Sequence, residues 1–85
     1  MTLKETFEQA VANSKLLSSK PDNDTLLRLY SLYKQSTTGD NLEDAPTNPF
    51  DFVGRAKHDA WSKLTGLSPD EAMKQYIDLV EGLRK

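Results

Sequence analysis

Cysteine is missing from all 85 residues, and histidine occurs once, as His58. Without thiols the chain can form no disulfide, thiolate nucleophile or cysteine-based metal site, which suits a reducing intracellular setting. His58 precedes Asp59, and adjacent residues on a helix point about 100° apart, so the two make a poor catalytic dyad. No Ser/His/Asp arrangement supports nucleophilic catalysis. The four glycines are scattered and form no phosphate-cradling loop. The acidic run Asp40-Asn41-Leu42-Glu43-Asp44 lacks the residue order and central glycine of a calcium loop, and reads as solvated loop. No catalytic residue, metal site or resident cofactor is expected, and the chain does not read as an enzyme. No apolar stretch approaches the ~20 residues that span a bilayer, so no integral membrane segment is expected. Met1-Thr2-Leu3-Lys4-Glu5 lacks the apolar core of a signal peptide, and a cytoplasmic location is expected.

Charge is nearly balanced. Eleven Lys and Arg face 13 Asp and Glu, for a formal charge of −2. That argues against bulk attraction to nucleic acid or anionic lipid. Any anion bound here must meet a local cluster of cations. Eighty-five residues make one domain, residues 1–85, near the lower size limit for a core without staples. Nothing in the sequence demands more than a monomer.

What is present is helical periodicity, in four segments. Thr2 and Glu5 have the spacing of a capping box, and Leu3, Phe7, Ala10 and Val11 follow helical spacing to about Ser14. Lys15 to Pro21 reads as helix end plus loop. Asp22 and Asp24 suit the positive end of a second helix. In it Leu26, Leu27, Leu29, Tyr30, Leu32 and Tyr33 cover more than half the circumference, so it should be touched on two sides. Gly39 is the natural stop. Asn48-Pro49 looks like an N-cap and first-turn proline, which predicts a third helix from Pro49 or Asp51 to Leu64. It presents Phe52, Ala56, Ala60, Trp61 and Leu64, and tolerates Gly54 at a cost of about 1 kcal/mol against Ala. Ser68-Pro69-Asp70-Glu71 starts a fourth helix with a capping box and a first-turn proline. Ala72, Met73, Tyr76, Ile77, Val80 and Leu83 form its stripe, and Arg84 and Lys85 complement its negative end.

Helices joined by short loops lie antiparallel. Gly39 to Asn48 is about ten residues and reaches about 30 Å at ~3.3 Å per residue, whereas a helix of about 14 residues is only about 21 Å long. The connection can therefore return along the bundle and let helices two and three run the same way. The expected fold is an all-α, four-helix up-down-down-up bundle with a long crossover between helices two and three. A plain up-down bundle with a floppy loop stays open on this argument alone.

Tyr30, Tyr33 and Lys34 lie within about a 100° arc of the second helix. Two rings beside an ammonium suit a ligand with both a π-face and a phosphate; the competing reading is a core rim with hydroxyls in water. Lys57 lies one turn before Trp61, Tyr76 midway along the fourth helix, and Lys15 and Lys20 flank the first loop. If the bundle brings these together, a nucleotide could stack on tyrosine and pair with two or three lysines.

Three ordered blocks carry a family resemblance. Tyr30-Ser31-Leu32-Tyr33-Lys34-Gln35-Ser36-Thr37-Thr38-Gly39-Asp40 closely resembles the central motif of the acyl-CoA-binding protein family. Phe52-Val53-Gly54-Arg55-Ala56-Lys57-His58-Asp59-Ala60-Trp61 looks like its third helix, and Asp70-Glu71-Ala72-Met73-Lys74-Gln75-Tyr76-Ile77 its fourth. The resemblance implies non-covalent binding of long-chain fatty acyl-CoA, by a soluble carrier and buffer that supplies acyl-CoA-using enzymes. It implies that Tyr30, Lys34 and Lys57 contact the ribose 3′-phosphate and adjacent groups and that Tyr33 stacks on adenine. Tyr76 would line the coenzyme site, Lys15 would add a contact, and Ser31-Leu32 would belong to the same stretch. Leu26 and Leu27 match positions near the acyl chain. Val53 stands where the family commonly has lysine, and His58 where a tryptophan often follows the third-helix lysine. The competing readings are a protein-interaction module using the broad apolar face of helix two and a single-stranded RNA binder, the latter weakened by the acidic charge.

Overall fold

All four helix starts carry a side-chain oxygen that takes up a free backbone N–H group, three of them as the sequence indicates. In the computed structural model, which describes residues 1–84, Thr2 Oγ1 accepts from Glu5 N–H (3.1 Å) and the Glu5 carboxylate accepts from Thr2 N–H (3.0 Å). This capping box opens α1, Leu3–Ser14. Asp22 accepts from Thr25 N–H (2.8 Å) and opens α2, Asn23–Thr37. Ser68 accepts from Glu71 N–H (3.1 Å) and opens α4, Pro69–Leu83. Here only the serine arm of the expected box forms. At the far end Arg84 pairs with Glu81 (3.1 Å); Lys85 lies outside the described residues.

The third helix departs from expectation. α3 spans Phe52–Ser62, capped by Asp51, whose carboxylate accepts from Gly54 N–H (2.9 Å). Asn48 instead closes a turn before it, its side chain accepting from Phe50 N–H (2.9 Å) and its carbonyl from Asp51 N–H (3.1 Å). An aspartate at the cap outcompetes the Asn-Pro pair because the turn leaves its carboxylate over the first free N–H groups. Gly54 has its reason in the same place, since a Cβ there would collide with the Asp51 carboxylate.

Side-chain pairings give the topology. Phe7 meets Tyr33 and Ser14 shares a depression with Leu26, so α1 and α2 are antiparallel. Tyr30 pairs with Lys57 and Lys34 with Trp61, which makes α2 and α3 parallel. Ser36 lies by Met73 and Leu29 by Tyr76, so α4 runs against α2 and along α1. The bundle is up-down-down-up. Phe7, Ala10, Leu29, Leu32, Ala72, Tyr76 and Val80 form its buried core, drawn from α1, α2 and α4. α3 packs on α2 alone among the helices, and of its expected apolar face only Trp61 is buried. Phe52 is 72% exposed and Val53 66%.

The crossover is bonded along its first half. Gly39, at φ 94°, ends α2, and its carbonyl accepts from Trp61 Nε1–H (2.8 Å). Asn41 Nδ2 donates to Ser62 Oγ (2.9 Å) and to the His58 carbonyl (3.2 Å). His58 Nε2–H donates to the Glu43 carbonyl (2.9 Å). Asp40 Oδ1 accepts from Gln35 Nε2 (2.8 Å) and Gly66 N–H (2.9 Å). The expectation of a merely solvated acidic run is corrected at Asp40, Asn41 and Glu43, because each supplies a partner to a polar group of α2, α3 or the α3–α4 turn.

Candidate functional site

α1, α2 and α4 converge on an open depression of about 330 Å³ whose walls include Val11, Lys15, Leu26, Tyr30, Tyr33 and Tyr76. Its floor is set by core packing. The Tyr76 ring lies edge-on to Phe7 (5.1 Å between centroids), and its hydroxyl donates to Ser14 Oγ (3.2 Å). Phe7 also backs Tyr33, with centroids 6.1 Å apart and planes at 27°. One face of Tyr33 is thus supported from below, and the residue remains 41% exposed. An aromatic ring held this way is ready to receive a second flat ring on its free face.

Past Leu26 the depression continues into a groove between α2 and α3, lined by Asn23, Leu26, Leu27, Phe52, Val53 and Ala56, with Lys57 also on its wall. The lining is almost wholly apolar. Toward the other end, Val11 and Tyr33 are shared with a depression of about 540 Å³ bounded by Lys4, Glu8, Thr37 and Met73. Sharing these walls, the three depressions line up as a trough along α2.

Lysines enter from two helices. Lys57 Nζ lies 5.2 Å from the Tyr30 ring centre, and Lys34 Nζ lies 4.8 Å from that of Trp61. The expected trio is therefore divided. Tyr30 and Lys34 both work with α3 while Tyr33 works with α1, and the Lys34 ammonium rests on Trp61 rather than between the tyrosines. Lys57, Lys15 and Tyr76 line the trough; Lys34 and Lys20 line none of its three depressions. Ser31 and Leu32 also lie outside it. Leu32 is buried in the core, and buried Ser31 turns its hydroxyl back to the Arg28 carbonyl (3.0 Å). The helical twist turns both side chains away from the arc of Tyr30 and Tyr33. The broad apolar face of α2 is accounted for by α3 and α4, which pack on it from two sides.

Residues absent from the sequence reading of the site also line the trough. Ser14 follows Phe7 and Val11 at one-turn intervals, a stripe that pointed to this face, and Phe52 forms groove wall instead of the expected core contact, beside Val53, the position where the family commonly has lysine. Cations outnumber acids on the trough's walls, where Lys4, Lys15 and Lys57 stand against Glu8. No salt bridge neutralises Lys15, Lys34 or Lys57 among the described residues. His58 Nδ1 sits 3.6 Å from Asp59, beyond hydrogen-bonding distance, so no relay forms there.

Residues 4–80 match the family model described as acyl CoA binding protein. The chain is 49% identical over 83 residues to acyl-CoA-binding protein homolog 1 of Caenorhabditis elegans, covering 98% of this chain and 93% of that one. It is 46% identical to the acyl-CoA-binding protein of Brassica napus, over 98% of this chain and 89% of the other. The crystal structure of Oryza sativa acyl-CoA-binding protein 2 superposes with a TM-score of 0.90 at 39% identity, covering 96% of this chain and 90% of that one. Fold, trough and sequence agree: the chain belongs to the acyl-CoA-binding protein family.

Proposed function

We propose that the chain binds long-chain fatty acyl-CoA thioesters without covalent chemistry and serves as a cytoplasmic carrier and buffer of them. One observation carries this reading: an aromatic-and-lysine cluster and an apolar groove meet at Tyr30 and Lys57, the latter lining the groove itself. A ligand with a flat ring and phosphates at one end and an alkyl tail at the other matches both parts. Adenine would stack on the free face of Tyr33, over the floor formed by Tyr76 and beside Lys15. Lys34, Lys57 and Tyr30 would take the 3′-phosphate through charge-assisted bonds. The tail would run past Leu26 and Leu27 toward Phe52 and Val53. Each methylene removed from water contributes about 0.8 kcal/mol, so the tail supplies affinity and the headgroup supplies discrimination against free fatty acid.

In this role the whole chain acts as one binding domain, a monomer that delivers its ligand to acyl-CoA-using enzymes and catalyses nothing. Isothermal titration with palmitoyl-CoA, palmitate and CoA tests the reading. Palmitoyl-CoA should bind at least a hundredfold more tightly than either part. Equal affinity for palmitoyl-CoA and palmitate would sink it.

A further inference from the structure

Lys34 and Lys57 share an arrangement that the trough alone does not require. Each lysine extends across to the other helix and rests on an aromatic ring there: Lys57 of α3 on Tyr30 of α2, and Lys34 of α2 on Trp61 of α3. The pairs repeat at a four-residue interval on two parallel helices. The two rings are not equivalent. Tyr30 is part of the trough wall, whereas Trp61 is 2% exposed and lines no depression described above.

Trp61 is also unusually well fixed. Its Nε1–H donates to the carbonyl of Gly39 (2.8 Å), the residue at which α2 ends. Burial and that bond together hold the indole in one orientation, and tryptophan offers the strongest π-face to a cation. Lys34 itself is half-buried and makes no salt bridge among the described residues. A carboxylate partner would compete with an incoming phosphate and would have to be displaced. A neutral ring covers one side of the ammonium and leaves its other protons free to donate. It also removes rotamer freedom from a long, flexible side chain before the ligand arrives.

We infer that Trp61 is a positioning residue for the phosphate end of the trough, acting through Lys34 and touching no part of the ligand. The inference rests on the acyl-CoA reading above and adds to it the group that aims one of the two phosphate-binding cations. It assigns Trp61 a contribution that depends on the 3′-phosphate, which a purely structural role does not predict.

The test compares palmitoyl-CoA with palmitoyl-dephospho-CoA, which lacks the 3′-phosphate, by titration calorimetry on the wild type, Trp61→Phe, Trp61→Leu, Lys34→Met and the Trp61→Leu/Lys34→Met double variant. Trp61→Leu should lower the preference for the phosphorylated ligand about fivefold, within the range of a cation–π contact. In the Lys34→Met background the same change should lower it no further. A merely structural role would weaken both ligands alike, and an unchanged preference in Trp61→Leu overturns the inference. Should Trp61→Leu melt below the assay temperature, Trp61→Phe carries the test: a roughly twofold fall in preference supports the inference, because phenylalanine keeps a weaker face. An unchanged preference in it overturns the inference. If the wild type binds neither ligand, the acyl-CoA reading has failed and this inference falls with it. If it binds both and only the Trp61 arm is flat, the reading stands and the inference alone is lost.

Discussion

At the scale of single residues, Asp40 joins three parts of the chain through one oxygen. Gly66 N–H and the Gln35 side chain both donate to it, and the same Gln35 nitrogen reaches the Leu67 carbonyl (2.8 Å). The Gly66 N–H, with the Gln35 amide second, holds the Asp40 carboxyl below its ordinary range. The folded chain thus gives up this proton more readily than the unfolded one. Its stabilising effect is complete above the ordinary aspartate value of ~3.9 and fades as pH falls through the lower folded value. Glu5 and Asp22, held down by bonds to Thr2 and Thr25, act in the same direction. Urea unfolding from about pH 5 to 2 should therefore show stability declining with acid, and Asp40→Asn should make that decline shallower without abolishing it. An unchanged slope in Asp40→Asn would show that the clasp does not form in solution. None of this was visible in the sequence. A polar residue in an acidic loop looks solvated, and partners 26 and 32 residues away leave no local period. Fully buried Gln35, just past Tyr30 and Tyr33, was equally silent.

At the scale of elements, the helices were legible wherever a cap and an apolar stripe agreed. Thr2 with Glu5, Asp22, and Ser68 with Pro69 each mark a start that the structure keeps. α3 was the weak case because two candidate caps lie three residues apart and the stripe is carried by a single buried residue, Trp61. The trough was legible in part. One-turn spacing placed Tyr30, Tyr33 and Lys34 on one arc, but spacing within a helix says nothing of which neighbour each side chain meets. Gly54 offers a test whose sign depends on its cap. In an ordinary helix interior Gly→Ala stabilises by about 1 kcal/mol. Here the added methyl group displaces the Asp51 carboxylate, and losing a cap costs about 1 kcal/mol. Gly54→Ala should therefore be close to neutral in urea denaturation, whereas in an Asp51→Ala background the same change should stabilise by about 1 kcal/mol. Equal effects in the two backgrounds would mean that the cap and the glycine are independent.

At the scale of the molecule, α1, α2 and α4 share the core while α3 rests on α2 alone. Helices with fewer packed neighbours open at lower free energy. Native-state hydrogen exchange should find the α3 amides less protected than those of α2 and α4 in the free protein. A ligand that bridges Lys34 and Lys57 should slow exchange in α3 more than in α1; equal protection of all four helices without ligand would contradict this. The long crossover was legible from its length, and its direction followed from geometry, yet its first half is no slack tether. Gly39, Asn41 and Glu43 are stitched to α3, whereas residues 44–47 take part in no hydrogen bond described above. The chain between Gly39 and Glu43 works as a hem that fixes where α3 lies beside α2, and 44–47 is spare thread. New termini or inserted residues belong in that second stretch, where lengthening the connection leaves every stitch in place.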